Sequence, residues 1–173
     1  MNHSAGVEIV LPPSSVVALV GAAGAGKTTF AAAHFRPSQV ISSDQCRLLV
    51  ADDEADQSAS AAAFAVLHFI AARRARRGRL TVIDATNARR ADRGRVLWLA
   101  ARHRRPAIAI LFALPLELCL GRNQQRAGRQ VDPGVVREQW AQLPVSAEAL
   151  IEEGFSAAYR FTTEAEVDAA TVS

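Results

Sequence analysis

Val16-Val17-Ala18-Leu19-Val20-Gly21-Ala22-Ala23-Gly24-Ala25-Gly26-Lys27-Thr28 decides the fold. The first five residues form a short, valine-rich apolar run, the pattern of a strand buried on both faces of a parallel sheet. Gly21 to Thr28 then fits the G-x-x-x-x-G-K-[ST] phosphate-binding loop in full. The glycines let the backbone turn its N–H groups toward phosphate oxygens, and a helix expected from Thr28 to His34 adds the positive end of its dipole. Lys27 supplies a point charge for the β- and γ-phosphates, and the Thr28 hydroxyl suits Mg²⁺. Gly21, Ala22, Ala23, Gly24, Ala25, Gly26, Lys27 and Thr28 are therefore candidate nucleotide contacts.

Outward from this loop the apolar pattern alternates strand with helix. Strands are expected at Gln39–Ile41, Leu80–Ile83, Ala107–Leu114 and Phe155–Phe161. Helices are expected at Ser58–Arg77, Arg90–His103, Leu116–Gln125, Pro133–Gln142 and Ser146–Glu153. The alternation predicts an α/β domain: a parallel sheet of four to five strands with helices on both faces. No linker interrupts it, so the 173 residues read as one domain, with Glu164 to Ser173 as a frayed tail. Half the residues are hydrophobic and 21% are charged, which excludes a disordered chain. Cys46 and Cys119 stand in no paired motif, so neither a disulfide framework nor a zinc site is indicated. Ile9 to Gly26, the longest uncharged stretch, is broken by Pro12-Pro13 and three glycines and is no membrane span. Met1 to Ser14 lacks the basic start of a secretory leader, so the expected location is cytoplasmic.

Charge is divided along the chain. Residues 61–130 hold fifteen arginines against three acids, whereas both flanking segments are acidic. A basic middle third points to a polyanionic partner, although Arg73 to Arg79 read mainly as solvated helix-end residues. Lys27 is the only lysine. A chain that writes arginine for every other cation keeps its one lysine inside the phosphate-binding pattern.

Further candidates follow from position. Asp44 should lie at the carboxyl end of the second strand, facing the same cleft as the loop. There it is either a base for an attacking hydroxyl or the N-cap of a short helix, with Arg47 on the same helix face. Leu80-Thr81-Val82-Ile83-Asp84 has the form of a strand whose closing aspartate reaches Mg²⁺; the alternative is an ordinary strand-end turn. Ala85-Thr86-Asn87 should carry polar groups into the cleft. Arg122 and Arg126 are four residues apart, and Arg129 lies about one turn further. On one helix face this makes a phosphate-clamping lid or a solvated basic face. His3, His34, His68 and His103 show no ligand spacing. Asp52-Asp53-Glu54 reads as the acidic first turn of a helix rather than a metal set. Trp98 and Trp140 read as core or interface anchors.

The ordered set of phosphate-binding loop with Thr29-Phe30, Ser42-Ser43-Asp44 with Cys46-Arg47, Asp52-Asp53-Glu54 with Gln57, Val82 through Asn87, and Arg122-Asn123 with Arg126 and Arg129 resembles the kinase module of the bacterial polynucleotide kinase-phosphatase-ligase, an RNA-repair enzyme. The resemblance runs from about Val16 to Phe161. It implies transfer of the ATP γ-phosphate to a 5′-hydroxyl end of RNA or DNA. Asp44 would be the general base, Arg47 would hold the acceptor phosphate, and Arg122 and Arg126 would be lid residues on the ATP phosphates. The chain has no length for phosphatase or ligase domains, so the resemblance implies either a free-standing kinase whose partners lie on other chains or an excised or repurposed module. Two alternatives stay open: a kinase of a small hydroxyl metabolite such as a sugar, nucleotide sugar or antibiotic, and an ATP-hydrolysing binding switch.

Overall fold

The computed structural model describes residues 6–173; His3 lies outside them. Strand β2 (Val16–Val20) is central and pairs in parallel with β4 (Thr81–Asp84) on one side and β5 (Ala107–Phe112) on the other. Strands β3 (Val40–Ser42) and β6 (Ala157–Phe161) form the edges, so the order is β3-β4-β2-β5-β6, all parallel. The sheet is the expected α/β one.

Alternation along the strands builds two cores from one apolar run. Val17, Leu19, Ile108, Ile110 and Phe112 face α1 (Lys27–His34), α5 (Leu116–Gln124) and α6 (Pro133–Ala141). There Phe30, Phe112 and Phe161 meet with centroids 5.3–5.6 Å apart. Such ring pairs contribute about 0.5–1.5 kcal/mol each beyond their area burial. Val16, Ala18, Val20, Ala107, Ala109 and Leu111 face the other way, toward α2 (Ser43–Ala51), α3 (Ser60–Arg76), α4 (Arg90–Arg102) and α7 (Ala147–Glu153). On this side Ala63, Leu67, Ala71 and Ala75 of α3 share one cluster with Ile41 of β3 and Ile83 of β4, so the helix presents mainly methyl groups to that edge of the sheet.

Two expectations need correction, and a third is narrowed. The segment after Glu164 does not fray. Thr163 and Glu166 form a capping box that starts α8 (Glu164–Asp168), and β7 (Thr171–Val172) pairs with β1 (Glu8–Ile9). Val167, Ala170 and Val172 tuck against the first core, and that burial holds the segment in place. Asp52-Asp53-Glu54 starts no helix: Asp52, at φ 57, ends α2, and Asp53 accepts from the Ala55 N–H in the following turn. Trp98 is not a core residue, since it is 64% exposed on α4. Trp140 is partly exposed and donates its Nε1–H to the Leu114 carbonyl. Among the described residues no helix is long and apolar enough to cross a membrane.

Candidate active site

The phosphate-binding loop leaves β2 at the point where the strand order turns in both directions, the place where open α/β sheets bind ligands. Gly24 and Gly26 both have left-handed φ, 82° and 88°. A Cβ on Gly24 would lie 2.1 Å from the Cys119 carbonyl oxygen, so α5 presses directly on the loop backbone and excludes any side chain there. Gly26 is the N-cap of α1 and points the free N–H groups of that helix at the cleft.

Lys27 is buried, and its Nζ donates to the carbonyls of Gly21 and Ala22, each at 2.8 Å. Burial pushes its pKa below the usual lysine value, with Asp84 opposing. Thr28 Oγ1 donates to Asp84 Oδ2 at 2.8 Å. Burial lifts the Asp84 carboxyl above the usual range, and the Lys27 charge and the Thr28 hydroxyl oppose that shift. Two hard oxygens side by side at the loop fit Mg²⁺, which takes one or two protein ligands and completes its shell with phosphate and water.

Across the cleft, Ser42 caps α2 by accepting from the Gln45 N–H. Asp44 lies inside the first turn, so the capping role belongs to Ser42. Asp44 Oδ1 takes Arg47 Nη1 at 2.8 Å and also Arg129 Nη1. Oδ2 has no protein partner among the described residues. Arg47 is only 4% exposed; its Nη1 also donates to the Glu54 carbonyl, and its Nε is buried without a partner. Gln57, with its amide oxygen turned to Arg129, accepts from Nη2 at 2.7 Å. Asp44, Arg47, Gln57 and Arg129 thus form one cluster from three separate sequence motifs.

Helix α5 ends at Gln124, so Arg122 occupies its last turn while Arg126 and Arg129 belong to the following loop. The buried Asn123 side chain donates to the Val131 carbonyl at 2.7 Å and accepts from the Val131 N–H at 3.0 Å, which folds this loop back on the helix. The three arginines still reach one cleft, from a clipped loop rather than a single helix face. Arg122 lies against Gly26 and pairs with Glu164 of α8.

Asn87 departs from expectation: buried at φ 45, it donates to the Leu19 carbonyl at 2.8 Å and ties β4 to β2 instead of entering the cleft. Thr86 does line the cleft. Gln139 of α6 had no sequence signal, yet its Oε1 accepts from the Ala23 N–H of the phosphate-binding loop at 2.9 Å. Val167 and Asp168 also reach the rim, carried there by the ordered tail. The whole cleft encloses about 850 Å³.

Solved structures share this architecture. Gluconokinase from Sinorhizobium meliloti 1021 is 12% identical, with a TM-score of 0.56, covering 91% of this chain and 87% of its own. The Mycobacterium tuberculosis APS kinase CysC, in complex with AMPPNP and APS, is 17% identical at TM-score 0.57, covering 91% and 93%. Chaetomium thermophilum Kti12, in complex with ADP-AlF3, is 14% identical at TM-score 0.57, covering 88% and 93%. No curated protein sequence matches the chain. At these identities the likeness concerns the fold alone. Residues 16–150 match the model of the AAA domain family, and with that match over most of its length the chain belongs to it.

Proposed function

We propose that the chain transfers the γ-phosphate of ATP to a 5′-hydroxyl end of RNA or DNA. The observation that carries this reading is the Asp44 carboxylate on the cleft wall, with Oδ1 held by two arginines and Oδ2 left to an acceptor. ATP would lie along Gly21 to Thr29 with Arg122 and Arg126 over its phosphates. Mg²⁺, held by Thr28 and Asp84, would neutralise charge on the β- and γ-oxygens. The acceptor hydroxyl gives its proton to Asp44 as its oxygen bonds to the γ-phosphorus; the bond to the β–γ bridging oxygen breaks and ADP leaves. The unpartnered Nε of the buried Arg47 suits a phosphate oxygen of the acceptor strand. Lys27 stays on the nucleotide throughout.

A second reading, a kinase of a small hydroxyl metabolite, is favoured by the shared architecture with gluconokinase and APS kinase. Incubation with γ-labelled ATP, 5′-hydroxyl and 5′-phosphate oligonucleotides and competing sugar hydroxyls separates the two. Label on the 5′-hydroxyl strand alone supports the proposal, and label on the sugar alone overturns it. Lys27→Ala is expected to abolish transfer of either kind; it should lower the melt somewhat without unfolding the chain, because the buried carbonyls of Gly21 and Ala22 each lose a hydrogen bond.

A further inference from the structure

We infer that the outer surface of α3 and α4 binds single-stranded nucleic acid, at a place separate from the cleft. Residues 60–80 hold five arginines and no acid, and residues 89–105 hold seven arginines against Asp92 alone. Arg93, Arg74 and Arg105 are occupied by internal contacts. The exposed remainder is arranged around two aromatic rings. Phe69 is 60% exposed with the Arg73 guanidinium 4.7 Å over its ring, and Trp98 is 64% exposed with Arg102 at 5.4 Å. The same device, a ring with an arginine one turn further on, thus occurs on each of two neighbouring helices.

Helical periodicity fixes where the rings point. Helix α3 buries Ala63, Leu67, Ala71 and Ala75, and α4 buries Val96, Leu99 and Ala100. At 100° per residue Phe69 and Trp98 lie opposite those rows, both on the outside of one helical layer. Their exposed neighbours Ala65, Gly94 and Ala101 are small, so a flat base has access to each ring. Stacked bases need a ring face and their phosphates need cations, and each ring–arginine pair supplies both. A membrane surface would call for a broad apolar face rather than two isolated rings capped by guanidinium. A duplex hides its base faces and gains nothing from the rings. This inference does not depend on the acceptor proposed above.

The test is anisotropy of a labelled, 5′-phosphorylated single-stranded RNA, which offers no acceptor hydroxyl at its 5′ end, on the full chain over a range of salt. Phe69→Ala/Trp98→Ala should weaken binding by about 30-fold or more, as expected when two stacked bases are lost. Arg73→Gln/Arg102→Gln should flatten the plot of log K against log salt by about 1.4, two lost phosphate contacts on a single strand. Arg137→Gln, which removes one exposed charge from α6 on the opposite face of the sheet, should bind like the unmodified protein. Phe69, Arg73, Trp98 and Arg102 are all exposed, and thermal melts verify that both double variants fold. Unchanged binding by either folded double variant overturns the inference. So does equal weakening by Arg137→Gln, and so does preference for duplex or for anionic phosphatidylserine vesicles. A protein that binds the strand here yet phosphorylates only sugars overturns the acceptor reading alone. End phosphorylation with ring variants that bind normally overturns this inference alone.

Discussion

Arg47 and Arg93 are equally removed from water, 4% and 3% exposed, and they use their guanidinium groups in opposite ways. Arg93 spends everything. Its Nε and Nη2 clasp both oxygens of Glu153 at 2.7 and 2.6 Å, and its Nη1 donates to the carbonyls of Asn87 and Ala88. That locks α4 to α7 and fixes the loop after β4. Arg47 puts both of its protein bonds on Nη1, leaves Nε unpartnered, and shares its carboxylate with Arg129. A buried donor without a partner costs free energy on the order of 1–3 kcal/mol, so a closed network signals architecture and an open one signals a place kept for a ligand.

The comparison breaks most directly at Asp44. Asp44→Asn is expected to slow single-turnover phosphoryl transfer by about 10²–10⁴-fold. The melting temperature and ATP titration should stay near those of the unmodified protein, because Ser42 does the capping. Activity within a few-fold of normal would make the open cluster as architectural as the closed one.

Arg93→Ala should act in the reverse sense. Removing one partner of a buried pair leaves Glu153 uncompensated and costs about 3–5 kcal/mol in urea unfolding. ATP affinity measured well below the melt should hardly change. If Arg93→Ala unfolds too readily to assay, Arg93→Met with Glu153→Leu removes both charges and should recover most of the lost stability.

Between these lies Arg47→Lys, which keeps the charge and removes the fork. Lysine can still reach the Asp44 carboxylate but presents no second donor to an acceptor phosphate. The acceptor KM should rise about 10- to 100-fold, the worth of one charged hydrogen bond, with kcat less affected. An unchanged KM would mean that the unpartnered Nε faces no substrate.

What the sequence disclosed follows the same division. Val16 to Thr28 revealed strand, loop and helix because burial on both faces leaves an unbroken apolar run and the loop has a spacing of its own. The alternation of β2 into two cores follows from a period of two. The tail carries no strand signal of its own, because β1 and β7 are two residues each and exist only by pairing with each other from opposite ends of the described chain. The one local signal, Thr163 with Glu166 in a capping box, was there to be read. Ser42-Ser43-Asp44 offers three capping residues in a row, and the one that caps is set by β3 running through Ser42. Nothing in the chain announces Gln139 on the Ala23 N–H, since only the packing of α6 against the loop brings them together.

The smallest expected effect tests a third polar group on the α4 side of the molecule. His68 lies on α3, partly buried, its ring 6.3 Å from Phe64. Burial holds its pKa below the usual 6.5, Arg95 adds to that shift, and Asp92 opposes it. The folded state therefore favours the neutral ring more than the unfolded chain does. That preference contributes stability above the unfolded value of 6.5, and it is lost as pH falls below 6.5 toward the lower folded value. Melting temperature should decline as pH is lowered through this window. His68→Gln, which cannot take up a proton, should remove that part of the decline, while Arg93→Ala should lower the whole curve without changing its slope there. If His68→Gln reproduces the unmodified slope, the ring is as well solvated in the folded protein as in the unfolded chain, and the α3–α4 contact is open to water at His68 although the α4–α7 contact is closed at Arg93.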